Sequence, residues 1–146
     1  MTPATCEERA LIEAARAARQ GAHAPYSRFA VGAALRLLDG TILTGSNLEN
    51  ASYGLSLCAE TVALAAAHAQ GRTADIVAIA LVGAPMDGPA EGMATPCGRC
   101  RQMLVEAQDR AGRPIAILCA GAEGDAVTRH DLTTLLPHAF GPASLH

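Results

Sequence analysis

The chain has 146 residues, enough for one domain with its own core, and half of them are hydrophobic although aromatic residues make up only 3%. Its formal net charge is -3 and it has no run of basic residues, so it lacks the electrostatic signature of a protein that binds polynucleotides or anionic membranes. The composition therefore favours a small molecule as the partner and predicts a core of Ala, Leu, Val and Ile.

After an initial helix and a hairpin, predicted helices and strands alternate along the chain. In chain order, the predicted elements are a helix at 7–20, strands at 30–38 and 41–46, a helix at 58–70, a strand at 75–82, a loop at 83–94, a helix from 96 to about 107 with Thr95 as its N-cap, strands at 115–120 and 125–128, and a short helix at 131–136. This order predicts a single α/β domain over residues 1–146, with three α/β/α layers and a mixed five-stranded sheet.

The N-terminal residues, the hydropathy and the cysteines together predict the cellular compartment of the protein. Residues 1–5 lack the charged and apolar regions of a signal peptide, and the longest aliphatic run, 76–82, is too short to span a bilayer. Five cysteines is an odd number, and three of them have metal-ligand spacing rather than the spacing of a disulfide framework. We therefore expect a cytoplasmic protein, because a reducing compartment keeps such thiols available.

Three cysteines and one glutamate form the most informative pattern. Cys58-Ala59-Glu60 is followed later in the chain by Pro96-Cys97-Gly98-Arg99-Cys100. Three thiolates can hold one zinc ion and leave the fourth tetrahedral position open for water, and a nearby glutamate can move that water's proton. This combination is the signature of zinc-dependent nucleobase deaminases, so the sequence predicts one zinc ion held by Cys58, Cys97 and Cys100, with Glu60 as the catalytic acid and base.

The spacing within each motif also predicts its local geometry. Cys97 and Cys100 are three residues apart at the start of a predicted helix, so their sulfurs share one face, and the positive N-terminal ends of two helices would stabilise the thiolates. Cys58 and Glu60 are two residues apart and do not share a face of a regular helix. Cys58 must therefore lie at the helix cap or in the first turn if both are to reach one site.

Taken alone, Cys97-x-x-Cys100 is more typical of half a structural zinc site or of a redox pair. A structural site needs a fourth protein ligand, and sequence spacing neither excludes nor nominates any of the five histidines for that place. The added Cys-x-Glu pattern favours a catalytic site. Cys119 lies in an apolar strand and is interpreted as a core residue, and Cys6 as an incidental one.

Four separated motifs together resemble the small, three-cysteine cytidine deaminases. They are PYSRFAVGAA at 25–34, NLENASYG at 47–54, TPCGRCRQ at 95–102 and LLPHAFGP at 135–142. The resemblance covers nearly the whole chain and implies the family's fold. It also implies hydrolytic deamination of cytidine and 2'-deoxycytidine to uridine and 2'-deoxyuridine, a step of pyrimidine salvage that needs no organic cofactor.

The same resemblance implies roles for residues outside the zinc motifs. Asn47 and Glu49 match positions that bind the ribose hydroxyls, and their i, i+2 spacing is consistent with one side of an extended segment. Phe29 matches an aromatic residue that packs on the pyrimidine ring, and the backbone of Ala59 matches a position that hydrogen-bonds the base. In the implied mechanism, zinc presents hydroxide to C4 of the ring, and Glu60 shuttles the water proton to N3 and then towards the departing ammonia.

The resemblance further implies a homotetramer with sites shared between subunits. Phe140 matches an aromatic residue that each subunit contributes to a neighbour's site, and Tyr53 is similar to a residue near that boundary. The family commonly reads Cys-Ala-Glu-Arg, whereas this chain has Thr61 in the place of that arginine. We hypothesise that Arg99 or Arg101 takes over part of its charge compensation.

Three other functions compete with this interpretation. A deaminase of a modified nucleoside, such as a blasticidin-type antibiotic, shares the zinc motifs and can lack the arginine, but the segment from Asn47 to Ser52 has the ordinary nucleoside-binding pattern. A polynucleotide deaminase would need basic surface and stacking aromatic residues. A non-catalytic zinc-stabilised module would have no need of Glu60 beside an open coordination position.

Overall fold

The computed structural model describes residues 1–146, which form one mixed sheet with helices on both faces. The elements in chain order are β1 (Thr2–Pro3), α1 (Cys6–Arg19), β2 (Phe29–Leu37), β3 (Ile42–Ser46), α2 (Ala59–Ala69), β4 (Ile76–Pro85), α3 (Gly98–Ala111), β5 (Ala116–Ala120), β6 (Ala126–His130) and α4 (Leu132–Leu135). The strand order is β1-β6-β5-β4-β2-β3, and only β4 and β5 pair in parallel.

Side chains on the two faces of the sheet enter two separate cores. On one face, Leu11 and Ile12 of α1 pack with alternate residues of the strands, among them Ala34 and Ala80. On the other face, α2, α3 and α4 cover the strand side chains that point in the opposite direction, which include Leu35 and Leu81. The structure therefore confirms the three-layer α/β/α fold. None of the helices combines the length and the apolar character needed to cross a bilayer.

The sheet has six strands rather than the predicted five. The extra strand is β1, in which Thr2 and Pro3 pair with Val127 and Ala126 of β6. Two residues carry no detectable periodicity, so the sequence pattern gives no sign of this strand. Arg129 of β6 fixes it from the side, because its Nη2 donates to the Pro3 carbonyl oxygen at 3.1 Å.

Predicted boundaries differ from the structure at the end of β4 and at both ends of α3. Strand β4 continues to Pro85 and so includes the start of the predicted loop at 83–94, because Gly83, Ala84 and Pro85 pair with the first residues of β2. The N-cap of α3 is Cys97 rather than Thr95. Helix α3 also runs further than predicted, to Ala111, because the left-handed backbone that ends a helix lies at its C-cap residue, Gly112 (φ 65°).

Close packing of α2 on β3 depends on the absence of a side chain at Gly45. A Cβ atom at this position would lie 2.5 Å from the Ala63 nitrogen and 2.6 Å from the Ala59 oxygen, both backbone atoms of α2. Any side chain there would push the helix away from the sheet. Gly45 therefore sets how closely the N-terminal turn of α2 approaches the sheet, and this turn carries part of the site.

Candidate active site

The three motif cysteines meet between the N-termini of α2 and α3. Their sulfur atoms all lie within 4.8 Å of one another, and the Sγ atoms of Cys58 and Cys97 are 3.7 Å apart. Cys100 is fully buried, whereas Cys58 is half-buried and Cys97 is exposed. No histidine or carboxylate oxygen completes a fourth ligand in this group. The donors are thus three sulfurs with one side open, which fits a zinc ion that keeps a position for water.

Two of these cysteines occupy equivalent places, each as the N-cap of its helix. Cys58 has φ -70° and ψ 154°, and Cys97 has φ -66° and ψ 166°, so both have extended backbone immediately before the first helical turn. The prediction that Cys58 lies at the cap is confirmed. The two sulfurs therefore belong to residues at the positive ends of two helix dipoles, which favours thiolates.

The cysteines influence one another's protonation. A hydrogen bond with Cys100 is the main reason that the pKa of Cys58 falls to about 6, and a hydrogen bond with Cys97 and the charge of Arg99 act in the same direction. The pKa of Cys100 is raised, first by its hydrogen bond to Cys58 and then by burial. Three thiolates gathered this closely repel one another, so a dication is the natural partner for the full set.

Glu60 lies in the first turn of α2 and is only 4% exposed. Burial is the main reason that the pKa of its carboxyl rises to about 7, and the negative charge of Cys58 adds to the rise. Helix α2 starts one residue after Cys58, so Glu60 and Cys58 both reach the same cavity despite their i, i+2 spacing. A buried carboxyl beside an open metal position is well placed to accept and return a proton.

A cavity of about 260 Å³ opens above the cysteine group. It brings together most of the residues singled out in the sequence, which are Phe29, Asn47, Glu49, Cys58, Ala59, Glu60 and Cys97. These come from four parts of the chain: the start of β2, the segment after β3, the start of α2 and the turn before α3. The cavity is therefore assembled where one end of the sheet meets two helix N-termini.

Asn47 and Glu49 are both held by backbone groups of the chain. The Oδ1 atom of Asn47 accepts from the Val31 nitrogen at 2.9 Å, and its Nδ2 donates to the Phe29 oxygen at 2.9 Å. Oε1 of Glu49 accepts from the nitrogens of Tyr26 and Ser27 at 3.0 and 3.1 Å. Hydrogen bonds from Ser27, and then from Tyr26, lower the pKa of Glu49, so this carboxylate is charged at neutral pH.

Two predicted site residues lie outside the cavity of their own chain. Tyr53 is 73% exposed and lines a neighbouring depression with Tyr26 and Glu49, and its ring stands edge-on to that of Tyr26 at 5.5 Å. Phe140 is 60% exposed and lies beside α3, where its carbonyl oxygen accepts from Gln102 Nε2 at 2.7 Å. The structure therefore does not bring these two aromatic side chains into the cavity.

Six further residues, which the sequence analysis did not propose as site residues, line the cavity. Val31 could have been predicted from the sequence, since it follows Phe29 by two residues and therefore lies on the same face of the strand. The others are contributed by loops or by the buried face of β4 and carry no chemical signature of their own. The full set is Val31, Ser56, Leu57, Leu81, Ala94 and Thr95.

Thr61 is buried beside the cysteine group, with 8% of its surface exposed. Its Oγ1 lies 3.7 Å from the Cys100 sulfur and donates to the Met103 sulfur at 3.3 Å. The guanidinium of Arg101 donates to the Pro96 and Leu135 oxygens at 2.7 and 2.8 Å. Of the two flanking arginines, Arg99 is the one whose charge lowers the pKa of a motif cysteine.

Comparison with known proteins agrees with this geometry. Residues 5–112 match the family described as the cytidine and deoxycytidylate deaminase zinc-binding region. The chain belongs to this family. A cytidine deaminase of Halalkalibacterium halodurans is 43% identical over 130 residues, covering 89% of this chain and 91% of the relative. One from Mycobacterium tuberculosis is 44% identical over 124 residues, covering 85% and 82%.

Solved structures of this deaminase family share the fold. A crystal structure of a cytidine deaminase from Burkholderia pseudomallei superposes with a TM-score of 0.79 at 46% identity, covering 96% of this chain and 100% of the other. A cytidine deaminase from Mycobacterium tuberculosis gives a TM-score of 0.71 at 40% identity, covering 91% and 96%. The chain is thus a zinc-dependent enzyme of the deaminase family, and it has a group of three cysteines that could hold one metal ion.

Proposed function

We propose that the protein is a cytidine deaminase that hydrolyses cytidine and 2'-deoxycytidine to uridine and 2'-deoxyuridine with release of ammonia. The observation that carries this proposal is a single cavity lined by a buried carboxyl, by two of the three grouped cysteines, and by two anchored polar side chains; these residues are Glu60, Cys58, Cys97, Asn47 and Glu49. The relatives described above, which match most of the chain, are named cytidine deaminases. Residues 1–146 act as one catalytic domain.

Cys58, Cys97 and Cys100 hold one zinc ion per chain. Zinc with three protein ligands supplies Lewis acidity, which makes water a nucleophile at neutral pH. The chain's own contribution is to gather three sulfurs at two helix N-termini and to provide no fourth ligand from the residues around them. That choice of donors leaves room for water and substrate.

Glu60 moves the protons. Its carboxylate accepts a proton from the attacking water and gives it to N3 of the cytosine ring, which makes C4 more electrophilic. A second proton then passes through the same carboxylate to the exocyclic nitrogen, the bond from C4 to that nitrogen breaks, and ammonia leaves. Burial of Glu60 supports this role, because it keeps bulk water away from the proton path.

The far end of the cavity binds the sugar, and its sides bind the base. Oε1 of Glu49 accepts from two backbone amides, and the second carboxylate oxygen, Oε2, accepts from a ribose hydroxyl. Asn47 uses one of its two Nδ2 protons on the Phe29 oxygen, and the other is free for a hydroxyl. Phe29 packs on the pyrimidine ring, and the backbone of Ala59 hydrogen-bonds the base.

The exposed aromatic residues belong to an interface between copies of the chain. We propose a homotetramer in which Phe140 reaches a neighbour's site and Tyr53 lies at the shared boundary. Their exposure supports this, since an isolated subunit would leave both large rings in water. Light scattering on the eluting protein gives the mass of the assembly. A monomeric mass for a fully active enzyme would contradict the proposal.

Arg99 compensates for the missing family arginine at Thr61. Its charge already favours the Cys58 thiolate, whereas Arg101 is engaged by carbonyl oxygens. Arg99→Gln is expected to lose zinc faster in the presence of a chelator than the wild-type protein. Arg113→Gln, which removes a half-buried arginine that bonds only the Ala74 oxygen, is the control. Equal zinc loss in Arg99→Gln and Arg113→Gln would refute this assignment.

Ammonia release and loss of ultraviolet absorbance test the proposed activity directly. Zinc-loaded protein is incubated with cytidine, deoxycytidine, cytosine, cytidine monophosphate and blasticidin S side by side, with Glu60→Ala as the inactive control. Turnover of both plain nucleosides, abolished in the control, is the expected result. Turnover of blasticidin S alone would instead support a modified-nucleoside deaminase, the second candidate that Thr61 favours.

The enzyme works in the cytoplasm, in the salvage of pyrimidines. All five cysteines are unpaired, which fits a reducing compartment. Expression in cells that lack their own deaminase and require uridine tests this role. Growth on cytidine in place of uridine is expected with the wild-type gene and not with Glu60→Ala, and equal growth with both would contradict it.

A further inference from the structure

Gly83 stands directly behind the wall of the cavity. It is buried near the end of β4, where it pairs with Val31 of β2. On the same face of β4, the preceding side chains Ile79 and Leu81 fill the core under α2 and α3, and Leu81 also lines the cavity. This row of side chains is therefore interrupted at the level where the cavity opens.

The space beside Gly83 is occupied by three residues of the cavity wall. A Cβ atom at position 83 would lie 2.8 Å from Ala94 Cβ, 2.9 Å from Phe29 Cε1 and 3.3 Å from Val31 Cγ2. The first two distances are shorter than any carbon contact that a folded protein tolerates, so at least one wall residue would have to move. Strand pairing limits movement of Val31, and the Phe29 ring and Ala94 remain as the parts that can shift.

From this packing we infer that Gly83 is a positioning residue that sets the width of the base-binding part of the cavity. Because glycine has no side chain, the Phe29 ring and Ala94 can pack directly against the sheet at this position. A side chain at position 83 would push them into the space that the pyrimidine ring occupies. The inference rests on the proposed function, and it adds a residue that touches neither the substrate nor the zinc ligands.

The expected kinetic effect is specific to binding. Glu60 and the cysteines are placed by the N-termini of α2 and α3 rather than by β4, so we expect the reacting groups to keep their geometry when the wall moves. We expect Gly83→Ala to raise KM for cytidine by roughly fivefold while kcat stays within about a factor of two. Gly83→Val is expected to raise KM further, and uridine binding should weaken in parallel.

Gly21→Ala is the matched control. Gly21 also has no positive φ, and a Cβ atom there would meet only Ala18 O at 3.5 Å and Ser46 Oγ at 3.7 Å, which are ordinary contacts. Ala94→Gly combined with Gly83→Ala is the rescue variant, since it removes the methyl group nearest the added one. The double variant is expected to recover part of the lost affinity, which a general loss of stability would not do.

Kinetics, zinc content and a crystal structure of Gly83→Ala together decide the inference. A raised KM with full zinc content, together with a displaced Phe29 ring or Ala94, supports it. An unchanged KM, a fall in kcat alone, or loss of zinc would overturn it. If the wild-type protein fails to turn over cytidine, the proposed function fails by itself. The crystal structure then still decides, because unmoved Phe29 and Ala94 refute the positioning role.

Discussion

The two faces of the sheet use the same strands for different purposes. Under α1 the face is closed: Leu11, Ile12 and Ala15 pack with strand residues such as Ala80 and Leu118, and no polar residue of α1 is buried. Under α2 and α3 the core gives way to a cavity, and all three buried polar residues of the chain lie on or next to α2. The face under α1 thus contributes only packing, whereas the face under α2 and α3 is less completely packed and contains the candidate active site.

Glu60→Gln tests this difference between the faces and has the largest expected effect, a loss of kcat. The substitution keeps the shape of the buried side chain but removes its ability to transfer protons. We expect kcat for cytidine to fall by about a hundredfold to ten-thousandfold, with the melting temperature unchanged or raised, because a buried acid is replaced by a neutral amide. Steady-state kinetics and calorimetry measure the two quantities. Glu13→Gln, on the exposed side of α1, is the control and should change neither one appreciably. Retained turnover in Glu60→Gln would contradict the proposed mechanism.

The cysteines provide the next test, since only three of the five belong to the site. Changing Cys58, Cys97 or Cys100 to Ser is expected to remove most of the bound zinc and to lower the melting temperature, because the ion ties two helix N-termini together. Metal analysis after dialysis measures the loss. Cys6→Ser, at an exposed position on α1, should retain one zinc ion per chain. Equal zinc content in all four variants would mean that the metal, if bound, is held elsewhere.

The chemical motifs were more predictable than the walls around them. Thiolate and carboxylate chemistry restricts the residue types, so Cys58, Glu60, Cys97 and Cys100 are visible in the sequence, and the structure does bring them together. Leu81 and Ala94 line the same cavity but look like any other apolar residue. Their place depends on strand register and on where β4 ends, which are properties of the folded chain.

Element boundaries were harder to predict where tertiary contacts decide them. Helix α3 begins after Cys97 although Thr95 is the better capping residue by type, since the backbone is still extended at Cys97, which lies beside Cys58. Strand β1 forms only because Arg129 and β6 offer it partners across the whole length of the chain. The roles in a neighbouring subunit that the resemblance implies for Tyr53 and Phe140 stay predictions.

A matched pair of leucines separates packing from function. Leu11 of α1 and Leu81 of β4 are both buried, but only Leu81 lines the cavity. We expect Leu11→Ala and Leu81→Ala each to lower the free energy of unfolding by about 2–5 kcal/mol. Below the melting temperature, only Leu81→Ala should raise KM for cytidine, because the wall beside the base loses support. A similar rise in KM for Leu11→Ala would show that the two faces are not independent.

The smallest expected effect is electrostatic and lies on the α1 side. Glu8 closes the first turn of α1, where its Oε2 accepts from the Thr5 nitrogen at 2.8 Å, and it also receives two hydrogen bonds from Arg129 at 2.6 and 2.7 Å. The hydrogen bonds from Arg129 are the main reason that the pKa of Glu8 falls from 4.5 to about 2. The arginine remains partly open to water, which screens the pair.

Glu8→Gln isolates this charge, because glutamine can still accept from the Thr5 amide in the capping box. We expect a loss of about 1 kcal/mol in the free energy of unfolding at pH 7, with unchanged kinetics. The sign of the pH dependence follows from the lowered pKa. The stabilisation is complete above pH 4.5, the unfolded value, and disappears as the pH falls towards about 2. Denaturant unfolding of both proteins at pH 7 and near pH 3 should therefore give a smaller difference at the lower pH. A difference that stays constant with pH would assign the loss to packing rather than to the charge.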